Sequence, residues 1–104
     1  MKINKVASLK QQPNGTYYWL KDSWLPLKKK SGYFVAIREF KGYLGKNEYA
    51  GVWQDPKTNL TYLDVVIWVP DEETAIKIGK DKKQLAIWDI KQQKEIWIYN
   101  YEKM

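Results

Sequence analysis

Between Trp24 and Tyr33 the chain reads WLPLKKKSGY. Three consecutive cations, Lys28, Lys29 and Lys30, stand between two aromatic residues. The theme returns with Lys41, Tyr43 and Lys46, followed by Tyr49. Ammonium groups neutralise phosphates and aromatic faces stack on bases, and proteins that hold single strands combine the two. The pattern predicts a binding surface for a nucleic acid or a nucleotide, made of Trp24, Lys28, Lys29, Lys30, Tyr33, Lys41, Tyr43 and Lys46. The competing reading makes the aromatics core and leaves the lysines solvated. Trp53, Trp68 and Trp88, in apolar runs, suit that reading. Trp24 and Tyr43, in segments without strand character, are the ones expected at the surface.

The distribution of charge favours the same half of the chain. The formal net charge is +6, and aromatic residues make up 15% of the sequence. Residues 1–50 carry ten Lys or Arg against three Asp or Glu, whereas residues 51–104 carry eight against nine. A basic first half attracts a polyanionic or acidic partner. A net charge of this size also serves solubility on its own.

Catalysis has little to work with. The chain has no His and no Cys. That removes the commonest general base, the commonest metal ligand and the thiol nucleophile. Ser8, Ser23 and Ser31 lie in no nucleophile-elbow context, and GYLGK lacks phosphate-loop spacing. Pro70-Asp71 followed by Asp81-Lys82-Lys83 spells a string that resembles restriction-type nucleases. In that chemistry the carboxylates converge on one Mg²⁺, but here both acids belong to the flanks of a single helix. The expectation is a non-enzymatic protein with no metal and no cofactor. Asp64 interrupts an apolar run, and a buried carboxylate needs a partner; a salt bridge to Arg38, the only Arg, is the expected one.

These residues need elements to position them. A single domain spanning 1–104 is the expected organisation for this length. Pro13-Asn14-Gly15 is a turn signal, so Ile3–Lys10 and Thr16–Lys21 are expected to form a first hairpin. Asp22–Gly32, with Pro26 and three lysines, is expected as a long basic loop. Tyr33–Phe40 and Tyr49–Gln54 are dense in strand formers, and Leu60–Val69 is apolar enough for a central strand. Asp71 can cap a short helix over about 71–79, with Glu72 and Glu73 in its first turn and Gly79 at its end. The fold class that follows is α+β, a mainly antiparallel sheet with one short helix; a small OB-like barrel is the alternative.

The closing segment, QLAIWDIKQQKEIWIYNYEKM, reads as a hairpin turning at Gln92 and Gln93. That register sets Trp88 opposite Trp97 and Ile87 opposite Ile98. Alternation then places Ala86, Trp88, Trp97, Tyr99 and Tyr101 on one face and Leu85, Ile87, Ile96 and Ile98 on the other. Both faces are apolar, so both Trp88 and Trp97 are expected in a core or an interface. A second copy of the chain, joined through this hairpin as a homo-oligomer, is one way to cover the extra face.

No apolar run approaches the roughly 18 residues of a membrane span, and MKINKVASLKQQ has no apolar signal region. The expected setting is cytoplasmic, with no membrane partner. The stretch KSGYFVAI partly resembles the aromatic strand of RNA-recognition domains, although it is one residue short and follows no helix. A longer resemblance runs from Tyr62 to Ile96. The positions Asp64, Ala75, Gly79, Gln84, Ala86, Ile87, Trp88, Asp89, Glu95 and Ile96 resemble a tail found in short open reading frames of phages and mobile elements. The resemblance implies a setting rather than an activity. Small proteins of that setting often bind nucleic acid or block a host defence enzyme. A protein-directed inhibitor of a host defence complex, of anti-CRISPR or anti-restriction type, is therefore the alternative to nucleic-acid binding.

Overall fold

The computed structural model describes residues 6–98. Its elements in chain order are α1 (Val6–Lys10), β1 (Gly15–Leu20), β2 (Ser23–Pro26), β3 (Tyr33–Glu39), β4 (Tyr49–Gln54), β5 (Thr61–Val69), α2 (Glu72–Asp81), β6 (Ala86–Asp89) and β7 (Lys94–Trp97). The strands form a mostly antiparallel sheet in the order β2-β1-β4-β5-β3-β6-β7. The α+β expectation holds, with β5 at the centre of the order. There are two helices among the described residues instead of one. The chain groups into two compact units, Met1–Leu27 with Arg38–Val66 and Lys28–Ile37 with Ile67–Met104.

In the first unit, two expectations fail. The segment read as the first strand is helical over Val6–Lys10, while Ile3, Asn4 and Lys5 lie outside the described residues. Val6 and Leu9 are three apart, the spacing of one helix face rather than one strand face. Leu9 is fully buried. The segment read as a loop contains β2, which pairs with β1 through a turn at Lys21 and Asp22, both at positive φ. That is the backbone a two-residue hairpin turn requires. Pro26 is tolerated because β2 lies at the edge of the sheet. Pro13-Asn14-Gly15 joins α1 to β1 instead, with the Tyr17 hydroxyl donating to the Pro13 carbonyl at 2.6 Å. The buried residues of this unit include Leu9, Tyr17, Trp24, Phe40, Ala50, Val52 and Val65.

In the second unit, α2 lies against the sheet. Val35, Val69, Ala75, Ile76, Ile87 and Ile98 form the buried cluster, and Tyr33, Ile67 and Ile96 pack on it. Asp71 caps α2 as expected, accepting from the Thr74 amide at 2.8 Å. The helix does not stop at Gly79 but runs on to Asp81. Gly79 is there for space, since a Cβ would fall 2.5 Å from Ile98 Cδ1.

The closing hairpin is shifted by two residues from its expected register. Ala86 pairs with Trp97, Ile87 with Ile96, Trp88 with Glu95 and Asp89 with Lys94. The cause is Asp89, whose carboxylate accepts from the Gln92 amide at 3.1 Å and closes a four-residue turn. A slip of two leaves every side chain on its face. The isoleucine face is the one buried against α2. Trp97, expected in a core or interface, is 42% exposed. Tyr99 and Tyr101 lie outside the described residues.

Candidate nucleic-acid interface

The structure divides the eight candidate residues between the two units. Lys28, Lys29, Lys30 and Tyr33 belong to the second; Trp24, Lys41, Tyr43 and Lys46 belong to the first.

In the second unit the three lysines are exposed, and the segment that carries them is shaped by Trp68. The Trp68 indole N–H donates to the Ser31 carbonyl at 2.9 Å. The Lys29 ammonium lies 4.8 Å from the Trp68 ring centroid, a cation–π contact that contributes about 0.5–1 kcal/mol at an exposed site. Gly32 has φ +92, and a Cβ there would fall 2.5 Å from Trp68 Nε1. Only glycine combines that backbone with that approach. The Gly32 carbonyl in turn accepts from the Ile90 amide at 3.0 Å. One indole thus fixes three successive features of the segment. Among the described residues no carboxylate pairs with Lys28 or Lys30.

Tyr33 points the other way. It packs on the helix-side cluster, and its hydroxyl donates to Glu72 Oε1 at 3.3 Å. Alternation then sends Phe34, Trp68, Trp88 and Trp97 to the face opposite α2, since Tyr33, Ile67, Ile87, Ile96 and Ile98 take the helix side. Phe34 pairs directly with Trp88. Trp97 lies one diagonal step from Trp88, across from Ala86. Trp68 and Trp88 were expected in the core and are half-buried. Sequence reasoning missed Phe34 and Trp68 as parts of this surface. The one local signal was the Gly immediately before an aromatic strand.

In the first unit Trp24 is buried, not displayed by a loop. Its ring meets Trp19 edge-on at 4.9 Å and Phe40 at 5.8 Å. Trp53, read as core, is 44% exposed and lies beside Tyr62, with ring centroids 5.7 Å apart. Tyr43 is 55% exposed, as expected. It lines a shallow depression with Arg38, Glu39 and Lys41. Lys46 is also exposed.

Acids offset the cations of this segment. Arg38 forms a two-pronged bond to Glu48, at 2.8 and 2.6 Å, and the Gly45 amide donates to the same carboxylate at 2.6 Å. These bonds, Arg38 first, lower the Glu48 pKa to about 2. Lys41 lies 3.9 Å from Glu39. The expected Arg38–Asp64 pair does not form, because Glu48 takes the guanidinium. Asp64 stands half-buried opposite Gly51, where burial and then the charge of Glu39 raise its pKa.

The nuclease-like acids do not converge. Asp71 caps one end of α2 and Asp81 ends the other, about 15 Å away by helical rise. No group of three His, Cys, Asp or Glu side chains that could hold a metal occurs among the described residues. No helix of the described residues is long and apolar enough to cross a membrane. The chain matches no family model, no curated protein and no solved structure.

Proposed function

We propose that this chain is a non-enzymatic small binding protein of phage or mobile-element type, which holds a nucleic acid or nucleotide through a basic, aromatic surface. The segment from Lys28 to Lys30 makes the principal contact. The observation that carries the reading is the Trp68 clamp: it pins the backbone of the lysine segment, and among the described residues no carboxylate pairs with Lys28 or Lys30. A backbone already held in place loses little further chain entropy when its lysines meet phosphates.

The test is a titration of labelled oligonucleotides at several salt concentrations. Each phosphate neutralised on a single strand steepens the dependence of log affinity on log salt by about 0.7. Replacing Lys28, Lys29 and Lys30 with Gln is expected to flatten the slope by up to about 2. No binding at low salt would sink the proposal.

A second reading is a protein-directed inhibitor of a host defence complex. The exposed Trp53–Tyr62 pair favours it, since aromatic residues are enriched at protein interfaces. Under that reading, Trp53→Ala abolishes inhibition of the target while the triple Gln variant retains it.

A further inference from the structure

Resting on that reading of the Lys28–Lys30 segment, we infer that its ligand is a single strand whose bases stack on Trp88 and Trp97. Two observations lead there. Trp97 is 42% exposed on the face of the sheet opposite α2, and Trp88 lies on the same face. Adjacent strands are about 4.8 Å apart, so aromatics on β6 and β7 offer successive footholds to successive bases. Sheet surfaces that recognise unpaired bases work this way, with two or three stacked on aromatic side chains.

The second observation concerns charge. Glu95 is the direct cross-strand partner of Trp88 and is exposed. A phosphate placed over β6 and β7 would be repelled by that carboxylate, whereas a neutral base would not. Lys94 on β7 alternates with Ile96 to the α2 side; Lys28 and Lys30 precede β3, and Phe34, the partner of Trp88, follows Lys30 by four residues. Four residues span at most about 14 Å. Phosphates are drawn toward the lysines and bases toward the tryptophans.

Trp68 receives the Lys29 ammonium and the Gly32 backbone, and so orders the cations. A duplex keeps its base faces to itself, so this arrangement discriminates against double strands.

Intrinsic fluorescence and anisotropy titrations at one salt concentration test the inference. The probes are a single-stranded oligonucleotide, a duplex of the same length, and inorganic polyphosphate of matched charge. The single strand is expected to bind roughly tenfold or more tighter than either competitor. Trp97→Ala should weaken single-strand binding by roughly tenfold and leave polyphosphate binding unchanged. Trp97→Phe, which keeps a stacking ring, should recover most of the loss, and this separates stacking from misfolding. Equal affinity for all three probes, or Trp97→Ala and Trp97→Phe losing single-strand affinity alike, overturns the stacking while electrostatic binding stands. Binding of none of the probes, polyphosphate included, overturns the stacking and the proposed function together.

Discussion

Two segments of this chain pair lysines with aromatic residues, and their surroundings differ. Around Lys28–Lys30 the organising group is an indole, and among the described residues no acid answers Lys28 or Lys30. Around Lys41–Lys46 the organising group is a carboxylate: Glu48 binds Arg38 and the Gly45 amide, and Glu39 lies near Lys41. Composition alone makes the two equivalent. The positive field survives at the first segment and is partly cancelled at the second. Cation count is therefore a poor guide to a polyanion site, and what holds the cations in place is a better one.

The largest effect expected from breaking either segment comes from Trp24. Its ring reaches Phe40, which is 3% exposed and immediately precedes Lys41. Trp24 thus supports the acid-organised segment, although its sequence neighbours belong to the indole-organised one. Trp24→Ala should cost about 3–5 kcal/mol, as large aromatic deletions in cores do. Thermal or denaturant unfolding measures this. A variant that melts like the parent but loses nucleic acid would return Trp24 to the surface role that its sequence position suggests.

Next in size is Gly32→Ala, which strikes the indole-organised segment alone. A side chain at φ +92 is strained, and the new Cβ must displace the Trp68 indole from 2.5 Å. Backbone strain of this kind costs about 1–3 kcal/mol. The lysines remain in the chain but lose their frame. Affinity for oligonucleotides should fall while the salt slope stays nearly constant, whereas the triple Gln variant flattens the slope. Unchanged affinity would show that the clamp does not matter to binding.

These contacts explain what sequence could and could not disclose. The strands β3, β4 and β5 were legible because β-branched and aromatic residues crowd them. The α2 cap was legible because Asp71 and Thr74 are three residues apart. All of this is local. The Trp68 clamp joins Ser31 and Gly32 to a residue more than thirty positions later, and no spacing rule encodes that meeting. α1 was missed because five residues show too little periodicity to separate helix from strand. β2 was missed because Pro26 and the lysines that follow read as loop, and only edge placement makes that strand acceptable. The hairpin faces were legible and the register was not, since parity fixes the face whereas the Asp89 carboxylate fixes the turn.

The smallest expected effect sharpens the comparison by pH. Glu48 has a folded pKa of about 2, below its ordinary value of 4.5. A depressed carboxylate stabilises the fold above its unfolded pKa, and that contribution is lost as pH falls through the folded value. Arg38 is partly exposed, so solvent screens the pair and the contribution is about 1 kcal/mol or less. Glu48→Gln should therefore melt slightly below the parent near neutral pH, and the gap should close between about pH 4.5 and pH 2. Asp64 works in the opposite sense: its raised pKa means that protonation favours the folded state, and stability declines as pH rises through the folded value. Taking the difference between parent and Glu48→Gln cancels that background, because both chains keep Asp64. Among the described residues no carboxylate takes part in the Trp68 clamp, so the difference between parent and Gly32→Ala should stay flat over the same range. A Gly32→Ala gap that also closed in acid would mean that the two lysine segments answer to the same acids, and the contrast between them would fail.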